Sequence, residues 1–215
     1  MPRRSSRRLR IAGSVLALSA LLLAGVRGWP REPLLERFAA STSVHDRNGA
    51  LLRLTLAADG TYRLSVTLEQ VSPKLIDAVL LYEDRQFFRH PGVNGWSLLR
   101  GAYATFGIGE RRIGGSTITM QLARRLHDLE SRSVGGKLQQ VLRALELEAK
   151  YGKREILEAY LNLAPYGGNV EGVGAASLVY FHRRAADLTL SEALTLAVVP
   201  QNPTRRMPRP DIPRF

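Results

Sequence analysis

The residues best suited to chemistry are two adjacent carboxylates, Glu83 and Asp84, at the end of an apolar segment with helical periodicity. They open the run EDRQFFRHPG, in which aromatic residues follow the carboxylates and a Pro-Gly pair indicates a turn. Desolvation disfavours the charged form of a carboxyl group, so a Glu beside aromatic rings can serve as an acid or a base near neutral pH. Taken alone, this run favours two carboxylates that simply end a helix, because carboxyl groups with a perturbed pKa are a minority.

A second motif, GGSTITMQ at residues 114–121, places a glycine pair and hydroxyl side chains before another helical pattern. Glycines let the backbone approach a ligand closely, and the N–H groups at the start of a helix favour anions. The motif therefore predicts a place for an anionic group, although GGST alone is a weak signal.

Four motifs in order, EDRQFFRHPG, GGSTITMQLAR, GKLQQVLRALELE and KREILEAYLN, resemble those of the family 51 peptidoglycan glycosyltransferases. That family comprises the polymerase domain of class A penicillin-binding proteins and the monofunctional transglycosylases. The resemblance runs from about Val44 to Pro203, and NLAPYGGNVEGVGAAS looks most like the type 1C branch. It implies polymerisation of lipid II: the 4-hydroxyl of an acceptor attacks the anomeric carbon of a lipid-diphosphate donor, with inversion and release of undecaprenyl diphosphate.

The resemblance also implies a role for each matching residue. Glu83 aligns with the general base that deprotonates the acceptor hydroxyl. Supporting positions align with Asp84, Phe87, His90 and Gln140. Substrate-binding positions align with Ser116, Thr117, Gln121, Arg124, Arg132 and Lys137. We assign the cations among them to the diphosphate, because Arg binds phosphate oxygens in a bidentate manner.

The third motif departs from the family, which usually has Arg-Lys-x-x-Glu where this chain has Gly136, Lys137 and Gln140. Arg124 likewise stands where Lys is usual. Loss of an acid would harm a glycosidase, in which two carboxylates divide the work. A diphosphate is already a good leaving group and needs charge neutralisation more than protonation, so we expect activity to be retained at a reduced level.

The elements that must position these residues are mostly helices. Strand signals from 44 to 66, with the turn dipeptides Asn48-Gly49 and Asp59-Gly60, predict one small hairpin. The remainder predicts a mainly α, lysozyme-like domain over residues 44–203.

A helix capped by Ser72 and begun by Pro73 is predicted to deliver Glu83 to its far end. Its buried stripe is predicted to be Leu75, Ile76, Val79 and Leu80. The helix after Lys137 is predicted to bury Leu138, Val141, Leu142, Leu145 and Ala149 and to present Lys137 and Gln140 together on another side. Helix 153–163 is predicted to bury Ile156, Leu157, Tyr160 and Leu161 and to leave Glu158 and Asn162 for polar packing. Thr189 and Glu192 predict a capping box before a last core helix.

Two stretches between the first and second motifs have open interpretations. Trp96, Leu99, Tyr103 and Phe106 recur at helical spacing and form either a core stripe or a partly exposed face that touches the membrane. The loop GIGERRIGG is either a mobile lid over an anionic ligand or an ordinary loop.

The amino-terminal part predicts a membrane anchor. Five arginines in the first ten residues precede an apolar run from Ile11 to Val26, which Arg27 and Trp29 close. We expect a cytoplasmic tail (1–10), an uncleaved signal anchor (11–29) and a stalk (30–43), with a cleaved signal peptide as the alternative. Residues 204–215 are expected to be a tail without a transpeptidase domain.

Charge and composition agree with this interpretation. The net charge of +12 suits an anionic lipid or a diphosphate, and no groove-reading motif supports nucleic acid. The expected location is the bacterial inner membrane, single-pass, with the catalytic domain on the periplasmic face. Expected partners are lipid II, the growing glycan strand and membrane lipid, with other cell-wall synthesis proteins left open. No cofactor is predicted firmly: Mg²⁺ or Mn²⁺ remains open, and the chain has no cysteine and no evident metal-ligand cluster.

Two other functions stay open at this point. A lysozyme-like lytic enzyme would also use one dominant Glu, without needing an anchor or a diphosphate site. A catalytically weak scaffold for cell-wall synthesis would explain Gln140.

Overall fold

The computed structural model describes residues 25, 28, 30–49, 51–96, 116–130 and 133–208. Within these ranges the helices are α1 (Pro73–Glu83), α2 (Ile118–His127), α3 (Val134–Lys150), α4 (Lys153–Leu163), α5 (Val173–Phe181), α6 (Leu190–Val198) and α7 (Pro203–Arg206). The strands are β1 (Ser43–His45), β2 (Leu51–Leu54), β3 (Tyr62–Arg63), β4 (Pro165–Gly167) and β5 (Val170–Glu171). Short 3₁₀ turns lie at Leu68–Gln70, Phe87–Arg89, Ala185–Asp187 and Val199–Gln201. The prediction of a mainly helical domain is confirmed.

The predicted hairpin is present as the antiparallel pair β1 and β2, with Ser43 opposite Leu54. Its turn is closed by an N–H of Gly49 that donates to the Asp46 carbonyl at 3.0 Å, and Gly49 has a φ of +83° that favours glycine.

The prediction of a single strand pair is wrong, because a second sheet has the order β3-β5-β4. Tyr62 pairs in parallel with Val170, and β4 is antiparallel to β5. The Arg63 side chain, 3% exposed, ties the sheet together by donating from Nε to Glu171 Oε2 at 3.0 Å. Strands this short carry no readable alternation, and the partner of β3 lies more than a hundred residues away, at β5.

Helix α1 begins as predicted, with Ser72 at the N-cap and Pro73 as first residue. Its residues Leu75 and Val79 are fully buried in the core, and α1 packs against α6. Helix α2 contributes Ile118, Met120, Leu122 and Ala123, all at 0% exposure, and packs against α3 and α4. The two helices that carry the candidate chemistry are therefore both fixed by the core.

The predicted buried side of α3 is wrong. Leu138, Leu142 and Leu145 are exposed, together with Val134. The buried stripe is instead Gly136, Gln140, Ala144, Leu147 and Glu148. Residues two apart on a helix point about 200° apart, so the apolar stripe and the buried stripe lie on opposite sides. Small residues let α3 approach α2 closely, and the buried polar groups Gln140 and Glu148 find hydrogen-bond partners.

The other predicted helices are confirmed. Helix α4 buries Ile156, Leu157, Tyr160 and Leu161. Its polar residues pack as predicted: Glu158 Oε2 accepts from the Leu68 N–H at 2.9 Å, and Asn162 bonds both backbone groups of Val66. Thr189 and Glu192 form the capping box of α6.

Several predicted features lie outside the described residues. These are the tail 1–10, nearly all of the anchor 11–29, the apolar stripe positions Leu99, Tyr103 and Phe106, the loop 107–115, Arg132 and residues 209–215. Among the residues that are described, no helix has the length and apolar character to cross a membrane. Trp96, the first of the predicted aromatic positions, is 75% exposed.

Candidate active site

Glu83 is the last residue of α1, and its carboxylate meets the side of α2. The Gln121 amide Nε2 donates to Glu83 Oε2 at 2.8 Å. The other oxygen, Oε1, is buried and has no hydrogen-bond partner within the described part of the chain. Burial raises the pKa of Glu83, and the neighbouring charge of Asp84 acts in the same direction, whereas Gln121 and Arg206 oppose it. A carboxyl group held in this way has an increased affinity for a proton.

Two buried tyrosines complete the surroundings of Glu83. The hydroxyl groups of Tyr160 and Tyr166 have no hydrogen-bond partner among the described residues. Burial raises the pKa of both phenols, and the negative charge of Glu83 raises each further, which places both rings near this carboxylate. The aromatic groups near Glu83 are thus two tyrosines from α4 and β4, whereas Phe88, which follows it in sequence, is 57% exposed.

Asp84 has a structural position beside Glu83. Its carboxylate is 7% exposed and accepts from His90 Nε2 at 2.9 and 3.0 Å and from the Ile118 N–H at 3.1 Å. Asp84 therefore joins the first motif to the first residue of α2, and its oxygens are occupied by protein donors.

The loop after Asp84 rests on a buried ionic network. Phe87 is 1% exposed, and Lys153 Nζ lies 4.3 Å from the centre of its ring. Lys153 also donates to Glu148 Oε1 at 2.7 Å, and the Thr119 hydroxyl donates to the same oxygen at 2.7 Å. A Cβ at Gly92, which has a φ of +82°, would lie 2.6 Å from Glu148 Cγ. Glu148 thus holds the first motif in place.

The second motif forms the start of α2. Thr117 is the N-cap: its hydroxyl oxygen accepts from the Met120 N–H at 3.1 Å, and the hydroxyl donates to the Gly92 carbonyl at 2.5 Å. The preceding residue, Ser116, accepts a hydrogen bond from Lys137 Nζ. Ser116 lies directly before the N-cap of α2, and Gln121 lies in the first turns of that helix. Lys137 therefore comes to the start of α2, and Glu83 is held by a residue a few positions further along it.

Arg124 follows Gln121 on the same side of α2 and lies near the Tyr160 phenol, whose pKa its charge lowers. A narrow cavity is lined by Gln121, Arg124 and Tyr160 together with Pro165. Among the described residues, Arg124 has no ion-pair partner. In the same part of the chain, no group of three acidic or histidine side chains could hold a metal ion. A cation without an ion-pair partner, on the same helix as the amide that holds Glu83, suits an anionic ligand.

The family model described as "Transglycosylase" matches residues 49–214, most of the chain. The chain belongs to the transglycosylase family. The resemblance predicted from the four motifs is therefore confirmed.

This transglycosylase is similar to proteins whose names identify them as penicillin-binding proteins. It is 47% identical to penicillin-binding protein 1C of Escherichia coli over 180 residues, which cover 84% of this chain and 23% of that protein. It is 38% identical to penicillin-binding protein 1A of the same organism, over 66% of this chain and 17% of that protein. The chain thus spans about a quarter or less of the length of these relatives. A crystal structure of penicillin-binding protein 1A from Haemophilus influenzae aligns with 77% of this chain and 15% of that chain at 22% identity, with a TM-score of 0.37.

The structure of this transglycosylase brings together most of the predicted site residues. Glu83 meets Gln121, Asp84 meets His90, and Ser116 meets Lys137. Thr117 and Phe87 are buried supports of the same loops. Gln140 is the exception, because its amide is 2% exposed and donates to the Glu130 carbonyl at 2.9 Å.

Sequence reasoning missed Arg206 as part of the site. It lies in the segment predicted to be a tail, yet its charge lowers the pKa of Glu83. Its Nη1 donates to the Tyr82 hydroxyl at 2.6 Å, and the Tyr82 hydroxyl donates to Gln201 Oε1 at 2.9 Å. No local sequence pattern predicts this contact, because Tyr82 and Arg206 are 124 positions apart. Tyr166 and Glu148 were missed for the same reason.

Proposed function

We propose that this chain is a peptidoglycan glycosyltransferase that polymerises lipid II, with Glu83 as the general base. The observation that carries the proposal is the state of the Glu83 carboxylate. It is half-buried, held by the Gln121 amide, close to two phenols and raised in pKa, and Lys137 reaches Ser116, just before the helix that carries Gln121. A base is most effective when its pKa lies close to the working pH, and burial moves Glu83 in that direction.

In the proposed reaction, Glu83 takes the proton of the acceptor 4-hydroxyl as the oxygen attacks the anomeric carbon of the donor. The bond from that carbon to the diphosphate oxygen breaks, and the diphosphate departs with the bonding electrons. Attack opposite the leaving group inverts the anomeric centre. Gln121 keeps the Glu83 carboxylate in a fixed orientation, and Asp84 fixes the loop that follows Glu83.

Positive charge at both ends of α2, from Lys137 beside Ser116 and from Arg124 in its last turn, supports departure of the diphosphate. We assign Lys137 and Arg124 to this anion, and Arg132 by its place in the motif. Charge neutralisation lowers the barrier for a good leaving group without protonation. Gln140 supplies no acid in this scheme, since its amide is engaged with a backbone carbonyl. A divalent cation, Mg²⁺ or Mn²⁺, would act on the same diphosphate.

The wider setting is part of the same proposal. We propose a lysozyme-like domain held at the outer face of the bacterial inner membrane by a signal anchor at residues 11–29, because basic residues precede that apolar run. Its proposed partners are lipid II, the growing glycan strand and membrane lipid. Other cell-wall synthesis proteins would bind to the surface of the domain away from the active site. Nucleic acid has no place in this scheme.

The proposal is tested by incubating lipid II with the purified full chain, its Glu83→Gln variant and an Asp77→Asn control. Asp77 is an exposed carboxylate on the same helix. We expect glycan strands from the wild type and the control, and a loss of roughly 10²–10⁴-fold for Glu83→Gln, the usual contribution of a general base. Release of soluble muropeptides from purified cell wall would indicate a lytic enzyme instead. A scaffold would be indicated by two results together: the folded wild type makes no strands, and the Glu83→Gln variant still binds its partners.

A further inference from the structure

Gly136 and Gln140, the two positions at which the third motif departs from its usual pattern, share one partner. Gln140 Nε2 donates to the Glu130 carbonyl at 2.9 Å. A Cβ at Gly136 would overlap the same carbonyl oxygen. The glycine leaves space for this oxygen and the amide satisfies it, so the two positions form one structural unit.

The connection between α2 and α3 brings the carbonyl to this place. Asp128, at the end of α2, has a φ of 48°, and the next N–H, that of Leu129, donates back to the Arg124 carbonyl at 3.1 Å. The chain thereby turns sharply towards the start of α3. There Ser133 caps the helix by accepting from the Gly136 N–H at 3.0 Å.

The chemistry of this contact requires a donor at position 140. A carbonyl oxygen accepts hydrogen bonds, and an ionised carboxylate only accepts them, so an ionised Glu at this buried position could not bond to the Glu130 carbonyl. At position 136, any side chain would displace the carbonyl that the amide holds.

Building on the proposed function, we propose that Gln140 is a positioning residue for substrate binding. Through the Glu130 carbonyl seated over Gly136, its amide holds the first turn of α3. That turn carries Lys137, whose Nζ reaches Ser116 at the start of α2. Gln140 thus acts on the substrate through Lys137 and transfers no proton itself.

Each variant that tests the proposal has a matched control on the same helix. Gln140→Met removes the donor at nearly constant size, and Gln140→Glu replaces it by an acceptor. Gln139→Glu is the control for charge, because Gln139 is exposed. Gly136→Ala displaces the carbonyl, whereas Gly135→Ala adds a methyl group where nothing lies within 4 Å.

Unfolding experiments on the full chain test the shared carbonyl without using activity. Gly135→Ala should raise the melting temperature, since Ala favours a helix more than Gly does. Gly136→Ala should lower it, as should Gln140→Glu. The double variant Gly136→Ala with Gln140→Glu should lose less than the sum of the single losses, because both changes disrupt the same contact. Strictly additive losses would show that the two positions do not share a partner and would overturn the proposal.

Steady-state kinetics with lipid II test the positioning role. Gln140→Met and Gln140→Glu should raise KM by about tenfold, the effect expected when the hydrogen bond of one buried side chain is lost, with little change in kcat. The KM of Gln140→Glu should return towards that of the wild type as the pH falls, because the protonated carboxyl group regains a donor. The KM of Gln140→Met should show no such recovery. Losses in stability without a change in KM would reduce Gln140 to a structural residue and overturn the proposal.

Two further results separate the possible failures. A kcat that rises at every pH in Gln140→Glu would show that the position serves an acid, which contradicts a positioning role. A wild type that makes no glycan, together with non-additive unfolding losses, would refute the proposed function and the substrate role while leaving the shared carbonyl established.

Discussion

Replacing Gln121 by Met removes the amide that donates to Glu83 and keeps the side chain at nearly the same size. The hydrogen bond is 2.8 Å long and its acceptor is ionised in the active form. A hydrogen bond to a charged group contributes about 1.5–3 kcal/mol, and each pKa unit corresponds to about 1.4 kcal/mol. Because Glu83 is only half-buried, solvent replaces part of the lost contact, so we take the lower end and expect the pKa of Glu83 to rise by about one in the variant.

The assay is the pH dependence of kcat/KM for lipid II polymerisation. A general base must be deprotonated, so kcat/KM falls as the pH drops through the pKa of Glu83 in the free enzyme. In Gln121→Met the acidic limb should move to higher pH by about one unit, with kcat/KM near that of the wild type well above the limb and about tenfold lower below it. Gln139→Met, on the exposed side of α3, should leave the limb unmoved. A limb that stays in place or moves to lower pH in Gln121→Met would refute the assignment of this amide as the group that stabilises the charged base.

Three predictions concern stability. Asp84→Ala should lower the free energy of unfolding by about 3–5 kcal/mol, because it leaves two buried donors without their charged acceptor. Denaturant titration measures this free energy, and a loss of less than about 1 kcal/mol would contradict the prediction. Gly92→Ala should be strongly destabilising, because the φ of +82° and the overlap with Glu148 both oppose a Cβ, whereas Gly95→Ala has open space and serves as the control. Glu83→Gln should be more stable than the wild type at neutral pH. The pKa of Glu83 is higher in the folded than in the unfolded state, so its protonated form stabilises the fold below the unfolded-state pKa. This contribution to stability is lost as the pH rises through the folded-state pKa, and a Gln does not titrate. Urea midpoints measured from pH 4 to 8 should therefore separate as the pH rises, and midpoints that separate in the opposite sense would contradict the raised pKa.

Much of the site could be predicted because its residues lie in contiguous motifs on regular elements. The helical period and the Ser72-Pro73 start placed Glu83 at the end of α1, and the GGST motif indicated that a helix begins just after its hydroxyl side chains. Local rules act over three or four residues, and each of these assignments needs no more than that.

The parts that could not be predicted depend on pairing between distant segments. The buried face of α3 was misassigned because its apolar stripe looked like the core side, whereas the contact with α2 selected the face of Gly136 and Ala144. Whether a Gln or Glu is buried depends on a partner that sequence periodicity does not reveal. For Gln140 that partner is a backbone carbonyl, which has no signature in the sequence at all.

In the proposed reaction, Glu83 is the base, and its protonation controls the rate. The most direct test is to follow the Glu83 carboxyl carbon by NMR through a pH titration, with the signal assigned from its absence in Glu83→Gln, and to compare its midpoint with the acidic limb of kcat/KM. We predict a midpoint above the ordinary Glu value of about 4.3 that coincides with the limb. A midpoint at or below that value, or a limb that titrates elsewhere, would contradict the assignment of Glu83 as the general base.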